Sequence, residues 1–152
     1  MKQALLVLLS MFLVSCDLGT TSVPKLHAAM SGRCIRTTTS LYLVEQGDPD
    51  EPGAVFLSTD KHSESAVREI VPAGAEFTII EVLHERSFEY SIVRIVGRSE
   101  DGRIPRVGLS LLFDVQWKLR AEQFASGSIE SMPRVEPALK SELALWCEEM
   151  PK

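Results

Sequence analysis

Two neighbouring segments in the middle of the chain alternate as paired strands do, and no other feature restricts the fold as strongly. Residues 75–84 carry apolar side chains on both faces of the alternation, which is typical of a central strand. A short polar stretch over residues 85–88 separates them from residues 89–96, which alternate again. Because short turns join antiparallel strands, this pattern predicts a long antiparallel hairpin at the centre of the fold.

Further strand-like segments flank this hairpin on both sides. Residues 35–44 are rich in β-branched side chains, and residues 54–58 and 66–71 are short segments set between turn-forming stretches. Residues 104–113 predict one or two more strands, whereas residues 115–124 are ambiguous between a strand and a helix. The predicted fold class is therefore mainly β, a small antiparallel barrel or sandwich.

The end of the chain carries a helical pattern instead. Pro137 suits the first position of a helix. The side chains that follow recur at the helical spacing i, i+4, i+7 and i+8: Leu139, Leu143, Trp146 and Cys147. They predict a short C-terminal α-helix that closes onto the β fold. Trp117 and Trp146 are both predicted to lie in the core.

Two short motifs on either side of the hairpin resemble a known family. Val71-Pro72-Ala73-Gly74 precedes the hairpin and Val107-Gly108-Leu109-Ser110 follows it, so the resemblance covers residues 70–113. This rhythm of strands and glycines resembles that of bacterial SH3-like domains. The resemblance implies a small barrel used mainly for binding, although the aromatic residues that line the peptide groove of SH3 domains have no counterparts that we can place here.

The start of the chain carries a targeting pattern. Lys2 supplies a positive charge, and residues 4–14 form an apolar run. The run is too short to span a bilayer, which takes roughly 20 residues, but it is typical of a secretory signal. It ends in Leu13-Val14-Ser15-Cys16, which resembles the lipobox of bacterial lipoproteins. The resemblance implies cleavage before Cys16, a thioether-linked diacylglycerol on its sulfur, and a further acyl chain such as palmitate on its amino group.

The lipobox also implies how the chain is divided. Residues 1–15 would be the signal peptide, residues 16–33 the lipidated cysteine and a tether, and residues 34–152 a single β-rich domain facing the periplasm. Asp17 resembles the inner-membrane retention signal of enterobacterial lipoproteins, but this rule varies between bacteria and leaves the choice of membrane open. The alternatives are a plain signal peptide or a buried strand with an incidental cysteine.

Composition sets limits on the mature domain. Cleavage before Cys16 leaves 137 residues, enough for one domain, with a formal charge of −6 because Lys2 is the only charge removed. This acidic balance argues against nucleic acid as a partner and against a polybasic hold on anionic lipid. If Cys16 is acylated, the other two cysteines, Cys34 and Cys147, form a natural pair in an oxidising periplasm or cell exterior. The predicted disulfide is structural, since no Cys-x-x-Cys spacing occurs; the alternative is two buried free thiols.

No arrangement of residues indicates catalysis or metal binding. His27, His62 and His84 are far apart, without His-x-His or His-Glu-x-x-His spacing. The acidic stretch over residues 48–51 is interrupted by proline, and no Gly-x-Ser-x-Gly elbow occurs. We therefore predict that the protein is not an enzyme and has no metal site and no cofactor other than the covalent lipid. His84, at the end of a predicted strand, is expected to be a hydrogen-bonded histidine at the rim of the fold.

Five arginines lie on or beside the predicted hairpin, within 21 residues of an otherwise acidic chain: Arg86, Arg94, Arg98, Arg103 and Arg106. A positive face of this kind predicts an interface with an acidic partner, because arginine is a common interface residue. The alternative is a solvated sheet face whose charges protect its edges.

These features together predict a lipid-anchored, non-enzymatic protein that binds another protein of the bacterial envelope at the membrane surface. Two alternatives are an immunity-type lipoprotein that blocks a toxin acting in the periplasm and a structural subunit of an envelope complex. A hydrolase whose site is assembled only in the fold is the least favoured class.

Replacing the lipobox cysteine tests the anchor. Cys16→Ala removes the sulfur that accepts the diacylglycerol, so we expect the precursor to stay unlipidated. The measurement is incorporation of a labelled fatty acid in bacterial cells, with the parent protein labelled in parallel. Persistent labelling of the variant would contradict the anchor.

Overall fold

The structure is a computed structural model that describes residues 19–45, 54–60, 66–87, 89–129 and 137–149. Several predictions fall outside these residues and stay predictions: the signal peptide, the lipidation of Cys16, the role of Asp17 and the acidic stretch at 48–51. Among the helices that are described, none has both the length and the apolar character needed to cross a membrane.

Nine β-strands and two α-helices are formed by the described residues. Their bounds, in chain order, are β1 Gly19–Ser22, α1 Pro24–Met30, β2 Cys34–Thr37, β3 Leu41–Glu45, β4 Val55–Ser58, β5 Ala66–Val71, β6 Glu76–Arg86, β7 Ser91–Ser99, β8 Val107–Gly108, α2 Val115–Ala125 and β9 Ala144–Trp146. Short 3-10 turns cover Ser110–Leu112 and Cys147–Glu149.

The strands form a single curled sheet. Its order is β5-β3-β4-β8-β7-β6-β2-β9, with β1 added beside β6. All neighbouring pairs are antiparallel except β4 with β8. The sheet curls into an open half-barrel, which confirms the predicted mainly β fold class. The resemblance to bacterial SH3-like domains stays a prediction.

The central hairpin is confirmed as β6 and β7. The two strands pair from Phe77 opposite Ser99 to Arg86 opposite Ser91, with one register shift between Ile79 and Glu81. Strands β4 and β5 also form where the apolar segments predict them. Two other segments are divided further than the pattern indicates: residues 35–44 give β2 and β3, and residues 104–113 give β8 and a 3-10 turn.

The core lies on the concave side of the sheet, where α2 packs over β7. Phe113 stands between the two tryptophans, with ring centroids 5.3 Å from Trp117 and 6.1 Å from Trp146. Both tryptophans are buried, as predicted. The Asp114 carboxylate decides the helical state of residues 115–124, because it accepts the Gln116 and Trp117 amides at 2.8 and 3.1 Å.

The predicted tether over residues 16–33 is wrong from Gly19 onward. Strand β1 pairs with β6, and α1 buries Leu26 and Met30 in the core. Taken alone, the seven residues of α1 make too short a helix to be stable in water. Packing against β6 supplies what the local sequence lacks, so the folded domain begins well before Cys34.

The predicted C-terminal α-helix from Pro137 is also wrong. Residues 144–146 form β9, which pairs with β2 from Ala144 opposite Thr37 to Trp146 opposite Ile35. Strand pairing buries Ala144 and Trp146 at the sheet edge, and this tertiary gain outweighs a helical spacing of apolar residues.

Cys34 and Cys147 form a disulfide, with Cα atoms 5.4 Å apart. It joins the start of β2 to the residue after β9, which are neighbours because those strands pair. The sequence separation is 113 residues. Closing a loop of that length is worth about 4–5 kcal/mol in the chain-entropy account of disulfide stabilisation.

Truncating one side chain of α1 tests whether this segment belongs to the domain. Leu26→Ala removes a side chain that is 1% exposed, so we expect the free energy of unfolding to fall by about 2–5 kcal/mol. The measurement is denaturant unfolding of the mature chain. Lys25→Ala, on the exposed side of the same helix, is the matched control and should cost less than about 1 kcal/mol. If the Leu26 variant were as stable as the parent, residues 19–33 would act as a tether and not as part of the folded domain.

Candidate functional site

An open cleft lies at the end of the hairpin where β6 begins and β7 ends. Its volume is about 500 Å³. One wall is the turn between β5 and β6, and the other is the loop that follows β7. The residues that line it are Glu69, Val71, Pro72, Ala73, Gly74, Ala75, Glu76, Phe77, Ser99, Glu100, Asp101, Arg103 and Ile104.

Thr37 holds the first wall in place. Its hydroxyl donates to the Pro72 carbonyl at 2.9 Å and accepts the Ala75 amide at 3.1 Å. Its backbone bonds Gly74 and Ala75 at 2.8 and 2.9 Å. Gly74 has φ +86°, a conformation that suits glycine. The Pro72–Ala73–Gly74 segment, which in the sequence carried only a family resemblance, is therefore a turn held in place by Thr37 at the end of β2.

Ser99 and Asp101 shape the second wall. The Ser99 hydroxyl donates to Asp101 Oδ1 at 2.6 Å and accepts the Ile104 amide at 2.9 Å. The Asp101 carboxylate also accepts from the Arg103 amide at 3.1 Å and from Arg103 Nε at 2.5 Å. The bonds from Ser99 and Arg103 lower the pKa of Asp101 to about 2. This carboxylate is thus ionised and committed to holding its loop.

The cleft carries a clear excess of negative charge. Four carboxylates line it against one guanidinium, so the charge of the lining side chains is −3. Glu76 is ion-paired with Arg36, and Glu100 accepts from the Thr78 hydroxyl at 3.1 Å. Glu69 Oε2 lies 4.0 Å from Arg103 Nη1, a long ion pair at the exposed side of the cleft. The arrangement favours a positively charged group in the cleft.

The five arginines predicted as a binding face are not gathered into one patch. Alternation along β7 places Arg94 and Arg98 on its convex side, and Arg94 pairs with Glu85 at 2.5 Å. Arg106 pairs with Glu81 at 2.6 Å.

The other two arginines lie at opposite ends of the hairpin, since Arg103 is in the cleft loop and Arg86 is opposite Ser91. Three of the five, Arg94, Arg103 and Arg106, are paired with acids, which interrupt the positive charge. A role for these arginines in binding a partner stays a prediction.

One group of potential metal ligands occurs in the described part of the chain. Ligand atoms of Cys34, Glu76 and Cys147 all lie within 4.8 Å of one another. Both sulfurs belong to the disulfide, so the group has no thiolate to offer while that bond is intact.

Two Ser-x-x-Lys spacings occur in the sequence, at Ser22–Lys25 and at Ser58–Lys61, and Lys61 lies outside the described residues. Ser22 is an exposed residue at the end of β1. Lys25 lies on α1, with Nζ 5.9 Å from the centroid of the Phe124 ring. The lysine therefore lies against an aromatic ring, and this spacing adds no reason to revise the prediction of a non-enzymatic protein.

His84 lies at the other end of the hairpin from the cleft. It is 6% exposed, and its Nε2 shares a 2.8 Å hydrogen bond with the Ser91 hydroxyl on β7. Burial is the main cause that lowers the pKa of His84 below its usual value of 6.5; the charge of Arg86 adds to this, and Glu122 of α2 opposes it. A neutral histidine thus joins the two strands.

Comparison with known proteins returned no matching family model, no matching curated protein and no matching solved structure.

The pH dependence of stability tests the position of His84. Because its pKa is lower in the folded state, its contribution is fully present above pH 6.5 and is lost as the pH falls through the folded pKa. We expect the free energy of unfolding to fall between pH 7 and pH 5, and His84→Gln to lessen that fall. Denaturant unfolding across this range is the measurement. His27→Gln controls for the loss of a histidine, and an equal effect of both variants would contradict the assignment.

Proposed function

We propose that this protein is a lipid-anchored protein of the bacterial cell envelope, and that its acidic cleft binds a positively charged segment of another protein. The observation that carries the proposal is the set of four carboxylates around one open cleft. The envelope location rests on the lipobox-like Leu13-Val14-Ser15-Cys16. The proposal changes the expected partner from an acidic to a basic one, because the cleft, and not the arginines, concentrates charge of one sign.

Binding is supported by the way the walls are held. Thr37 fixes one wall through four hydrogen bonds with the turn at 72–75. Ser99 and Asp101 fix the other wall. Neither wall has to be ordered when a ligand arrives, so less conformational entropy is lost on binding. A volume of about 500 Å³ falls within the ordinary size range of ligand sites.

The four carboxylates of the cleft differ in the bonds that they already make within the protein. Asp101 is used by its own loop, and Glu76 is paired with Arg36. Glu69 and Glu100 are therefore the residues proposed to contact the partner. A lysine or arginine side chain from the partner would meet their oxygens, where charge-assisted hydrogen bonds are stronger than neutral ones.

The partner's contact is expected to be sensitive to salt. Ion pairs at the rim of an interface are screened as the ionic strength rises, since the Debye length falls from about 10 Å at 0.1 M to about 3 Å at 1 M. Such contacts also raise the association rate more than the lifetime of the complex. The proposal thus describes a salt-sensitive complex and not a subunit built into a permanent assembly.

Neutralising the two proposed contact residues tests the cleft. In the double variant Glu69→Gln and Glu100→Gln the side chains keep their size, and we expect the partner's affinity to fall about tenfold, which corresponds to ~1.4 kcal/mol. The measurement is quantitative co-purification with the tagged, lipidated protein from gently solubilised membranes, at low and at high salt.

The matched control removes two exposed acids outside the cleft, with Glu89→Gln and Glu142→Gln. This variant has the same net charge as the cleft variant and should retain the partner. Equal loss in both variants would indicate that only total charge matters. A partner held equally by the parent and the cleft variant would overturn the cleft as the binding site.

A further inference from the structure

The folded domain begins very close to the proposed lipid. Strand β1 starts at Gly19, three residues after Cys16. Even a fully extended chain of that length spans only about 11 Å. If Cys16 carries the acyl chains, Gly19 therefore stays within about 11 Å of the attachment point, whatever path the intervening residues take.

The sheet register shows which part of the domain this places near the membrane. Gly19 pairs with Arg86, the last residue of β6, and Arg86 pairs in turn with Ser91 at the start of β7. The turn that joins the two long strands is therefore beside Gly19. The cleft lies at the opposite end of β6, where Glu76 begins the strand.

The surface at this turn has the composition of a membrane interface. Tyr90, the residue before β7, is 48% exposed, and Ile92, the second residue of β7, is 37% exposed. Tyrosine is enriched where proteins meet lipid headgroups, because its ring is apolar and its hydroxyl is polar. Arg86 and Glu89, both exposed, keep such a contact at headgroup level and out of the hydrocarbon.

The exposed tyrosine is held rigidly. Its hydroxyl donates to Glu85 Oε1 at 2.9 Å, and its amide donates to the Ser87 hydroxyl at 3.1 Å. Glu85 is also ion-paired with Arg94, so its charge is compensated. A half-exposed aromatic ring is thus held by hydrogen bonds to Glu85 and Ser87, and the acid beside it is already ion-paired.

We propose that the turn end of the β6–β7 hairpin, defined by Arg86, Tyr90 and Ile92, rests on the lipid headgroups of the membrane that anchors Cys16. This inference rests on the lipid anchor of the proposed function and deepens it by orienting the domain. The ten residue steps from Arg86 to Glu76 cover about 30 Å along β6. The acidic cleft is then held about 30 Å above the turn end, facing a partner outside the membrane.

A matched pair of fluorescent labels tests this orientation. Glu89→Cys and Glu100→Cys remove the same charge from exposed positions at opposite ends of the hairpin, and each introduced thiol receives the same fluorophore. The lipidated, full-length mature protein is bound to vesicles of phosphatidylethanolamine and phosphatidylglycerol that contain a headgroup-nitroxide lipid. We expect severalfold stronger quenching of the label at position 89 than of the label at position 100.

The outcomes separate the orientation from the anchor. Equal quenching at both positions, or stronger quenching at position 100, on protein that floats with the vesicles would overturn the orientation and leave the anchor intact. Protein that does not float, and whose Cys16 carries no acyl mass, would overturn both.

A longer linker separates the reach of the chain from the chemistry of the turn. Inserting about 12 Gly/Ser residues after Asp17 gives a flexible reach of roughly 20 Å and removes the length constraint. We expect weaker quenching at position 89 that still exceeds the value at position 100. Adding Ile92→Asp should then make the two labels equal; a difference that survives this change would overturn the apolar contact.

Discussion

The pairing of β6 with β7 is the constraint on which the rest of the structure depends. The far edge of β6 is shared between β2 at its start and β1 at its end, and β8 pairs with β7. Both α-helices pack on this pair of strands. Gly97 lets β7 lie close to Leu109 and to β6. A Cβ at this position would overlap the Leu109 side chain and lie 3.0 Å from the Thr78 carbonyl oxygen. The hairpin is therefore the frame that positions every other element near it.

The two ends of this frame differ in chemistry. The end with Glu76 and Ser99 carries the acidic cleft, and the disulfide lies close by because Cys34 pairs with Thr78. The other end carries buried His84 and exposed Tyr90. The proposed function assigns the acidic end to a partner and the other end to the membrane that would hold Cys16.

Pattern in the sequence was a reliable guide where burial follows directly from alternation. The hairpin alternates, and β4 and β5 are short segments set between turn-forming stretches; each forms where these patterns predict. Residues 115–124 resisted prediction because their apolar side chains also fit a spacing of two. In the structure they form a helix, and the Asp114 carboxylate caps its start by accepting two backbone amides. The cap was present in the sequence, but its effect depends on the turn that precedes it.

The candidate site could not be predicted from the sequence. Glu69, Glu76 and Glu100 are separated by other strands and turns, and only the sheet order brings them to one cleft. The arginines were conspicuous because they are close in sequence, yet they are spread along the hairpin and nearby acids pair with Arg94 and Arg106. In this sheet, the arginines that are close in sequence lie apart, whereas the glutamates that are distant in sequence line one cleft.

The sequence by itself determined the β class and the hairpin at its centre, because both follow from local periodicity. It offered Cys34 and Cys147 as one possible pair among three cysteines, and the pairing of β2 with β9 brings them together. Only the tertiary structure decided the states of residues 19–33 and 137–149. Neither segment has enough local preference to fold alone, and each is stabilised by burial against strands that are distant in sequence. Such pairing depends on the whole sheet, and no local pattern contains it.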